Sequence, residues 1–402
     1  MKSNATWTRP FNRPIRHHLP GMSPAYLLGL STALHAYIGA RLLPVFPAPA
    51  PAAALTLLLI ISALFVPLGM LARRYTRPPV SDTLAAIGLA FMGLFSSLLV
   101  LTVLRDGLLL LLWIAGLAAP SAAIPFGAVR DGSAVAVPLL ALGISLIGFW
   151  NARRTAGVVT VEVPLAGLPR ALDGFRIVQI SDIHVGPTIG RRYLEGIVEA
   201  VNRLRPDLVA ITGDLVDGSV PELRADVAPL SRLSSKHGSF FVTGNHEYYS
   251  GVAPWLVELG QLGIKVLHNE HVVIEHRGAQ LVLAGVPDYS AGRFHESHRS
   301  NPQQAIAGAP QRATKVLLAH QPRSAPAAAE AGFDLQLSGH THGGQFLPWN
   351  FFVRFQQPFT AGLHRLGRMW VYVSRGTGYW GPPKRFGAPS EITELKLVAG
   401  AG

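Results

Sequence analysis

The sequence predicts two domains of different classes: an all-α transmembrane domain over residues 1–155, then an α/β domain with two sheets over residues 156–402. The length of 402 residues exceeds that of one ordinary domain. Hydrophobic residues make up 49% of the chain and charged residues only 14%, against roughly 25% charged residues in soluble domains. Long apolar runs end near residue 155, and short strands alternating with helices follow, which is typical of α/β sheets.

The formal net charge of +12 is concentrated in the first domain. Residues 1–155 hold 12 Lys and Arg against 3 Asp and Glu, whereas residues 156–402 hold 23 against 20. Basic residues at the ends of apolar helices fix membrane orientation, which accounts for the excess. The near-balance of the second domain disfavours a nucleic-acid partner. The chain has no Cys, which excludes disulfides and thiolate metal sites.

Five apolar runs in the first domain each approach the roughly 20 residues that a helix needs to cross a bilayer. They cover Pro24–Leu43, Ala52–Leu71, Thr83–Leu104, Gly107–Phe126 and Ala134–Trp150, with Arg105-Asp106 as the break between the third and fourth. Pro120 and Pro125 interrupt the fourth run, so either four or five spans are expected. We expect a multi-pass protein of the cell membrane with a cytoplasmic N-terminus. Four spans would place the second domain inside the cytoplasm and five outside, and the sequence leaves both open.

The second domain opens with a βαβ pattern. Val158–Val163 alternates as a half-buried strand does, and Phe175–Ser181 and Pro206–Gly213 are short apolar strands on either side of a helix over Gly190–Leu204. The two strands flanking the helix should be parallel neighbours. Their carboxyl ends then bring Asp182, His184 and Asp214 to one edge of the sheet.

Three further predicted strands also end in polar residues. Ser239–Thr243 precedes Asn245 and His246, Lys315–Ala319 precedes His320, and Asp334–Leu337 precedes His340 and His342. A hairpin is predicted over residues 271–285, and Met369–Ser374 and Glu391–Val398 are expected to complete a second sheet. Convergence of the strand ends on one crevice explains this repetition.

The strand-end residues are metal-binding types, and seven of them are candidate ligands: Asp182, His184, Asp214, Asn245, His320, His340 and His342. Mixed carboxylate and imidazole donors suit Mn, Fe or Zn. Seven ligands exceed what one catalytic ion takes, so we expect two divalent ions about 3.5–4 Å apart that share a carboxylate. A hydroxide bridging two such ions is a strong nucleophile, and a phosphate ester is its natural target.

These motifs resemble the five motifs of the calcineurin-like metallophosphoesterases, in the family's order: Asp182-x-His184, Gly213-Asp214, Gly244-Asn245-His246-Glu247, His320 and Gly339-His340-x-His342. Gly-Asp-Leu-Val-Asp-Gly with Asp217, and Gly343-Gly344-Gln345, further resemble the family's bacterial membrane-anchored branch. The resemblance implies a two-sheet α/β sandwich. It also implies that Asp182, His184 and His342 hold one ion, that Asn245, His320 and His340 hold the other, and that Asp214 bridges them. His246 would stabilise the transition state or protonate the leaving oxygen instead of binding metal.

Several interpretations remain open at this stage. A membrane anchor would hold the second domain at the membrane surface, which favours a phosphorylated lipid or a lipid-linked nucleotide as substrate. This hypothesis rests only on the position of the domain. A non-catalytic metal-stabilised scaffold and a nuclease on the same fold are the competing functions. Glu247 is either a support for His246 or a surface acid, Asp217 is expected to support the site, and Trp349–Phe355 either packs as core or meets lipid. The oligomeric state is undetermined.

Overall fold

The computed structural model describes residues 23–46, 48–121 and 125–400. Lys2, Arg9, Arg13 and Arg16, the basic residues that precede the first apolar run, lie outside the described residues. Within these ranges the first half contains four long helices: α1 (Pro24–Leu42), α2 (Pro49–Tyr75), α3 (Val80–Ala118) and α4 (Phe126–Arg153). Of the helices in the described ranges, α2, α3 and α4 are long and apolar enough to cross a membrane. The chain therefore carries the apolar helices of a membrane protein ahead of its α/β domain.

Helix α3 corrects the predicted break at Arg105 and Asp106. A continuous helix of 39 residues passes through both charges and joins the third apolar run to residues 107–118 of the fourth. Arg105 donates to Ser133 Oγ at 2.9 Å and to the Arg130 carbonyl at 2.9 Å, both on α4. Asp106 accepts from Arg41 Nε of α1 at 2.8 Å. Because neighbouring helices satisfy both side chains, the charges do not end the helix.

Two sheets form the second domain. The first has the order β1 (Gly157–Ala166), β12 (Glu391–Gly400), β2 (Arg176–Ile180), β3 (Leu208–Ile211), β4 (Ser239–Phe241) and β5 (Ile264–Val266). The second has the order β10 (Gly362–Leu366), β11 (Met369–Val373), β9 (Leu335–Ser338), β8 (Thr314–Leu318), β7 (Ala279–Gly285) and β6 (Glu270–His276). β2 and β3 are parallel neighbours, and β6 and β7 form an antiparallel hairpin, which confirms both predictions.

The last strand, β12, joins the first sheet and not the second, so that prediction was wrong. It pairs in parallel with β1 over ten residue pairs, from Gly157↔Glu391 to Ala166↔Gly400, and antiparallel with β2. Local alternation shows only that a strand is half-buried. Its sheet is decided by partners more than 200 residues earlier in the sequence.

The facing sides of the two sheets form a shared core. Ile177 and Leu208 of the first sheet and Leu283 and Val316 of the second belong to one buried apolar cluster. Outside the first sheet pack α5 (Arg191–Arg203), α6 (Val220–Val227) and α8 (Val252–Gln261), and outside the second pack α9 (Pro302–Ile306) and α10 (Ala325–Ala331). The short helices α7 (Asn245–Ser250) and α11 (Trp349–Val353) lie in loops that follow strands. The α/β domain is therefore a two-sheet sandwich, as expected.

The helical region packs directly against the sandwich. Lys384 Nζ donates to the Gly93 carbonyl of α3 at 2.9 Å and to Ser145 Oγ of α4 at 3.2 Å. Asn151 Nδ2, near the end of α4, donates to the Arg385 carbonyl at 3.2 Å. Arg73, near the end of α2, donates to the Asp217 carbonyl. Three of the four long helices thus touch the loops that surround the site described next.

Candidate metal centre

The structure brings all seven predicted ligands to one crevice at the carboxyl ends of the strands. Asp182 and His184 follow β2, Asp214 follows β3 and Asn245 follows β4 in the first sheet; His320 follows β8, and His340 and His342 follow β9 in the second. The crevice therefore lies between the two sheets. Asp182 and His320 have no solvent exposure, and Asp214 and His184 are 2% exposed.

Five of the seven candidate ligands adopt a left-handed backbone conformation. Their φ angles are 53° for Asp182, 56° for His184, 51° for Asp214, 70° for His340 and 51° for His342. Residues with side chains rarely occupy this region, and such strain persists only where the surrounding structure holds it. These five residues form sharp turns after their strands, and the turns direct the candidate ligand side chains toward one point.

Glycines next to the ligands leave room for carboxylates. A Cβ atom on Gly244 would collide with Asp214 Oδ1, and one on Gly339 would collide with Asp182 Oδ2 and Ser181 Oγ. Both glycines precede a candidate ligand directly. The Gly-Asn-His and Gly-His motifs therefore have a steric cause: the loop of one strand lies against the carboxylate of its neighbour.

The ligand atoms form two clusters. In the first, His184 Nε2 lies 3.1 Å from His342 Nε2, which is 3.5 Å from Asp182 Oδ1. In the second, His320 Nε2 lies 3.2 Å from His340 Nδ1 and 3.1 Å from Asp214 Oδ2. Asp214 Oδ2 is also 3.9 Å from His184 Nε2, so this carboxylate lies between the clusters.

These residues fit divalent cations. Asn245 Oδ1 is buried and has no hydrogen-bond partner among the described residues, and a buried amide oxygen left without a partner costs about 1–3 kcal/mol. A cation bound to this oxygen would satisfy it. In each cluster two imidazole nitrogens face each other beside a carboxylate, a donor set typical of Mn, Fe or Zn sites.

Asp217 belongs to a third possible grouping, with His184 and His246. Its Oδ1 contacts Nδ1 of His184 at 3.1 Å and Nδ1 of His246 at 2.6 Å. Since His184 turns its other nitrogen toward His342, Asp217 orients the ring from behind. Burial would raise the pKa of Asp217, but the two imidazoles outweigh it and hold that pKa below its ordinary value. The expected supporting position of Asp217 agrees with this geometry.

His246 lies at the edge of the clusters. Its backbone N–H donates to Asp214 Oδ1 at 2.9 Å, and its Nε2 lies 4.0 Å from Asp214 Oδ2. The rings of Tyr249 and Trp380 flank it, with centroids 5.2 and 5.7 Å away. Burial would lower the pKa of His246, but Asp214 and Asp217 outweigh it and raise the pKa to about 9. An imidazolium poised beside the clusters can donate a proton.

Glu247 is a buried support and not a surface acid. It has no solvent exposure, and its carboxylate accepts from the backbone N–H groups of Gly244 at 2.6 Å, Leu215 at 2.7 Å and Asp214 at 3.0 Å. Burial and then the charge of Asp214 raise the pKa of Glu247 to about 7. It joins the loops after β3 and β4 and makes no hydrogen bond to His246 among the described contacts.

Sequence reasoning missed Arg385. Its side chain is 1% exposed, and Nη1 donates to the carbonyls of His342 at 2.9 Å and Arg375 at 2.8 Å. Nη2 lies 3.2 Å from His342 Nδ1. A single arginine 43 residues beyond His342 gives no signal in the sequence, because only folding places it behind residues 339–345, here called the metal loop.

Comparisons with known proteins identify the family of the α/β domain. Residues 175–344 match the calcineurin-like phosphoesterase family. A transmembrane protein with metallophosphoesterase domain from Bos taurus is 43% identical over 283 residues, which cover 68% of this chain and 63% of that protein. The Danio rerio protein of the same description is 41% identical over 262 residues, covering 63% and 60%.

An uncharacterized metallophosphoesterase of Helicobacter pylori is 38% identical over 262 residues, which cover 65% of this chain and 69% of that protein. The chain thus spans less than two thirds of the length of the two animal relatives and more than two thirds of the bacterial one. The resemblance inferred from the motifs is confirmed: this chain belongs to the calcineurin-like metallophosphoesterases.

Proposed function

We propose that this protein is a membrane-anchored phosphoesterase that uses two divalent ions. Asp182, His184 and His342 would hold the first ion; Asn245, His320 and His340 would hold the second; and Asp214 would be shared. The observation that carries this proposal is the position of Asp214 Oδ2, 3.1 Å from His320 in one cluster and 3.9 Å from His184 in the other. When bound, the ions would supply positive charge for the phosphoryl oxygens and lower the pKa of a coordinated water.

His246 is the proposed general acid of the reaction. It would donate its proton to the leaving oxygen of the ester, because it lies beside Asp214 with one ring nitrogen held by Asp217. Asp217 would fix the ring orientation, and Arg385 would hold the loop that carries His342. The flanking Tyr249 and Trp380 rings would enclose the substrate; both are partly exposed, at 43% and 54%.

The proposed location is the cytoplasmic face of the cell membrane, with four helices as the anchor. α1 runs in the same direction as α3, because His35 stacks on Phe95 and Arg41 pairs with Asp106. The first residue of α1 and the last of α4 then lie at the same end of the bundle, beside the sandwich. Four arginines, Arg73, Arg74, Arg153 and Arg154, lie at helix ends there, which favours the cytoplasm. A reporter enzyme that works only outside the cytoplasm can be fused after Gly402. Activity of that reporter would contradict this topology.

A phosphorylated lipid or lipid-linked nucleotide is the proposed substrate class. Support comes from the contacts of α2, α3 and α4 with the loops around the site, which hold the crevice beside apolar helices. The test compares kcat/KM for a phosphoester lipid in vesicles with kcat/KM for its water-soluble headgroup analogue. Equal values would contradict this part of the proposal.

The activity can be tested on the detergent-solubilised full chain. We expect about two equivalents of Mn, Fe or Zn per chain by elemental analysis, and hydrolysis of p-nitrophenyl phosphate or bis(p-nitrophenyl) phosphate that a chelator abolishes and metal restores. Bound metal without turnover on any ester would favour the scaffold alternative. Turnover confined to nucleic acid, with a rate falling steeply with salt, would favour the nuclease.

A further inference from the structure

A segment immediately after the metal loop exposes a cluster of large apolar side chains. Residues 347–355, here called the aromatic segment, contain α11. Its exposed members are Leu347 at 42%, Trp349 at 44%, Phe351 at 55%, Phe352 at 53% and Phe355 at 75%. Soluble surfaces rarely carry contiguous apolar patches of this kind unless something covers them. The core packing allowed by the sequence is therefore wrong for this segment.

The segment is fixed to the membrane helices. The indole Nε1 of Trp349 donates to Ser96 Oγ of α3 at 3.0 Å. One turn away on α3, Gly93 accepts from Lys384, which also contacts Ser145 of α4. The neighbouring Leu142 and Leu146 of α4 are 47% and 60% exposed. The aromatic segment thus meets the bundle at a height where α4 still presents leucines outward, as a lipid-facing helix does.

The charge of the surrounding chain suits an anionic surface. Residues 335–390 contain no Asp or Glu. Three of their six Lys and Arg, namely Arg354, Arg365 and Arg368, are exposed, whereas Lys384 and Arg385 are buried. Arg354 lies within the aromatic segment, with its guanidinium 5.4 Å from the Phe355 ring centroid. Aromatic and basic residues together are typical of segments that lie in the interface of an anionic bilayer, with apolar side chains about 5–10 Å deep.

The aromatic segment also lies directly against the metal loop. A Cβ atom on Gly344 would collide with the backbone of Asn350, so the turn containing His342 and α11 are in backbone contact. The aromatic segment consequently borders the turn that carries His342, a candidate ligand of the first cluster. Whatever covers the segment lies beside that cluster.

We infer that the aromatic segment inserts into the interfacial region of an anionic phospholipid bilayer and holds the crevice at the level of the lipid headgroups. Phosphoesters would then enter from the plane of the membrane and not from bulk water. The insertion stands by itself, whereas its consequence for substrate choice rests on the proposed phosphoesterase function.

Insertion can be measured without any activity, because the chain has no cysteine and a single one can be labelled. Phe355→Cys carries a polarity-sensitive fluorophore in the full chain, reconstituted into vesicles of phosphatidylcholine and phosphatidylglycerol. Val273→Cys on β6, 40% exposed, is the matched control. We expect lipids brominated on their acyl chains to quench the label at 355 and aqueous iodide to quench the label at 273. Equal iodide quenching at both positions would overturn the inference.

The consequence for substrate is tested with Phe351→Ser/Phe352→Ser/Phe355→Ser, against Val273→Ser as control. We expect the KM for a phosphoester lipid in vesicles to rise about tenfold, with kcat/KM for p-nitrophenyl phosphate unchanged. An equal fall in kcat/KM for both esters would mean that the segment acts through the metal loop. No change for either ester would mean that the segment has no part in substrate access. Either outcome contradicts the inferred effect on substrate access. If the unaltered protein hydrolyses no ester, the proposed function fails while the fluorescence result still decides insertion.

Discussion

Lys384 and Arg385 are consecutive in the chain and serve opposite domains. Lys384 Nζ lies between α3 and α4, where Gly93 and Ser145 accept its hydrogen bonds. Arg385 turns the other way and holds the metal loop through the His342 carbonyl. Both side chains are almost fully buried, at 2% and 1% exposure. The helical bundle and the candidate metal centre are therefore joined through one peptide bond.

Replacing Arg385 by Lys should weaken metal binding by about 10–100-fold, as is typical for residues that orient ligands from behind. A lysine keeps the charge but has only one nitrogen, whereas Arg385 places Nη1 on the His342 and Arg375 carbonyls and Nη2 beside His342 Nδ1. Titration of the metal-free protein with Mn²⁺ by calorimetry measures the effect. Arg368→Lys, at an exposed position, is the control. Unchanged affinity in R385K would show that the metal loop holds its shape without this side chain.

Replacing Gly244 by Ala should displace Asp214, because the new Cβ collides with Asp214 Oδ1. We expect a loss of metal content and a fall in stability of about 1–3 kcal/mol, the usual cost of overpacking. Gly260→Ala is the matched control, since a Cβ there meets nothing within 4 Å. Elemental analysis and thermal unfolding report both effects. Full metal occupancy in G244A would contradict the tight contact between these loops.

Replacing His246 by Ala should leave both ions bound and lower the rate by about 10²–10⁴-fold, the usual contribution of a general acid. The loss should be smaller for esters with good leaving groups, which need no proton. His364→Ala on β10 is a control outside the crevice. Parallel loss of metal and activity would instead place His246 among the ligands.

His298 should make the protein less stable in mild acid. Burial, and then the charges of His268 and His295, lower its pKa from 6.5 to about 4. The unfolded chain therefore binds a proton that the folded chain rejects between these values. This contribution to stability is fully present above pH 6.5 and is lost as the pH falls toward 4.

In His298→Gln that loss should disappear, so the stability difference between the two proteins narrows as the pH falls. Denaturant unfolding across this range measures the difference. Tyr248, whose hydroxyl lies 3.0 Å from His298 Nδ1, is kept unchanged. A difference that stays constant with pH would show that His298 titrates normally in the fold.

Much of the site was readable from sequence because its ligands follow strands directly. The apolar runs before Asp182, Asp214 and His320 predict strands, and parallel strands bring their carboxyl ends to one edge. The burial of Glu247 could not be predicted, because an acidic residue that follows a histidine can be either buried or exposed. Its backbone hydrogen-bond partners decide between the two, and the sequence does not show them. The supporting role of Arg385 could not be predicted either, because its hydrogen-bond acceptors are backbone carbonyl groups, which every residue has.

The sequence by itself determined the family, the seven candidate ligands, the apolar character of the first 155 residues and the two-sheet class, because local patterns and short motifs encode all of these. Only the tertiary structure decided that α3 continues through Arg105 and Asp106, that β12 joins the first sheet and that the aromatic segment is exposed. Each of these features depends on a partner distant in sequence. The neighbouring helices neutralise Arg105 and Asp106, β1 pairs with β12, and Ser96 of α3 binds the aromatic segment. Periodicity describes which face of an element is apolar, whereas long-range packing selects what that face meets.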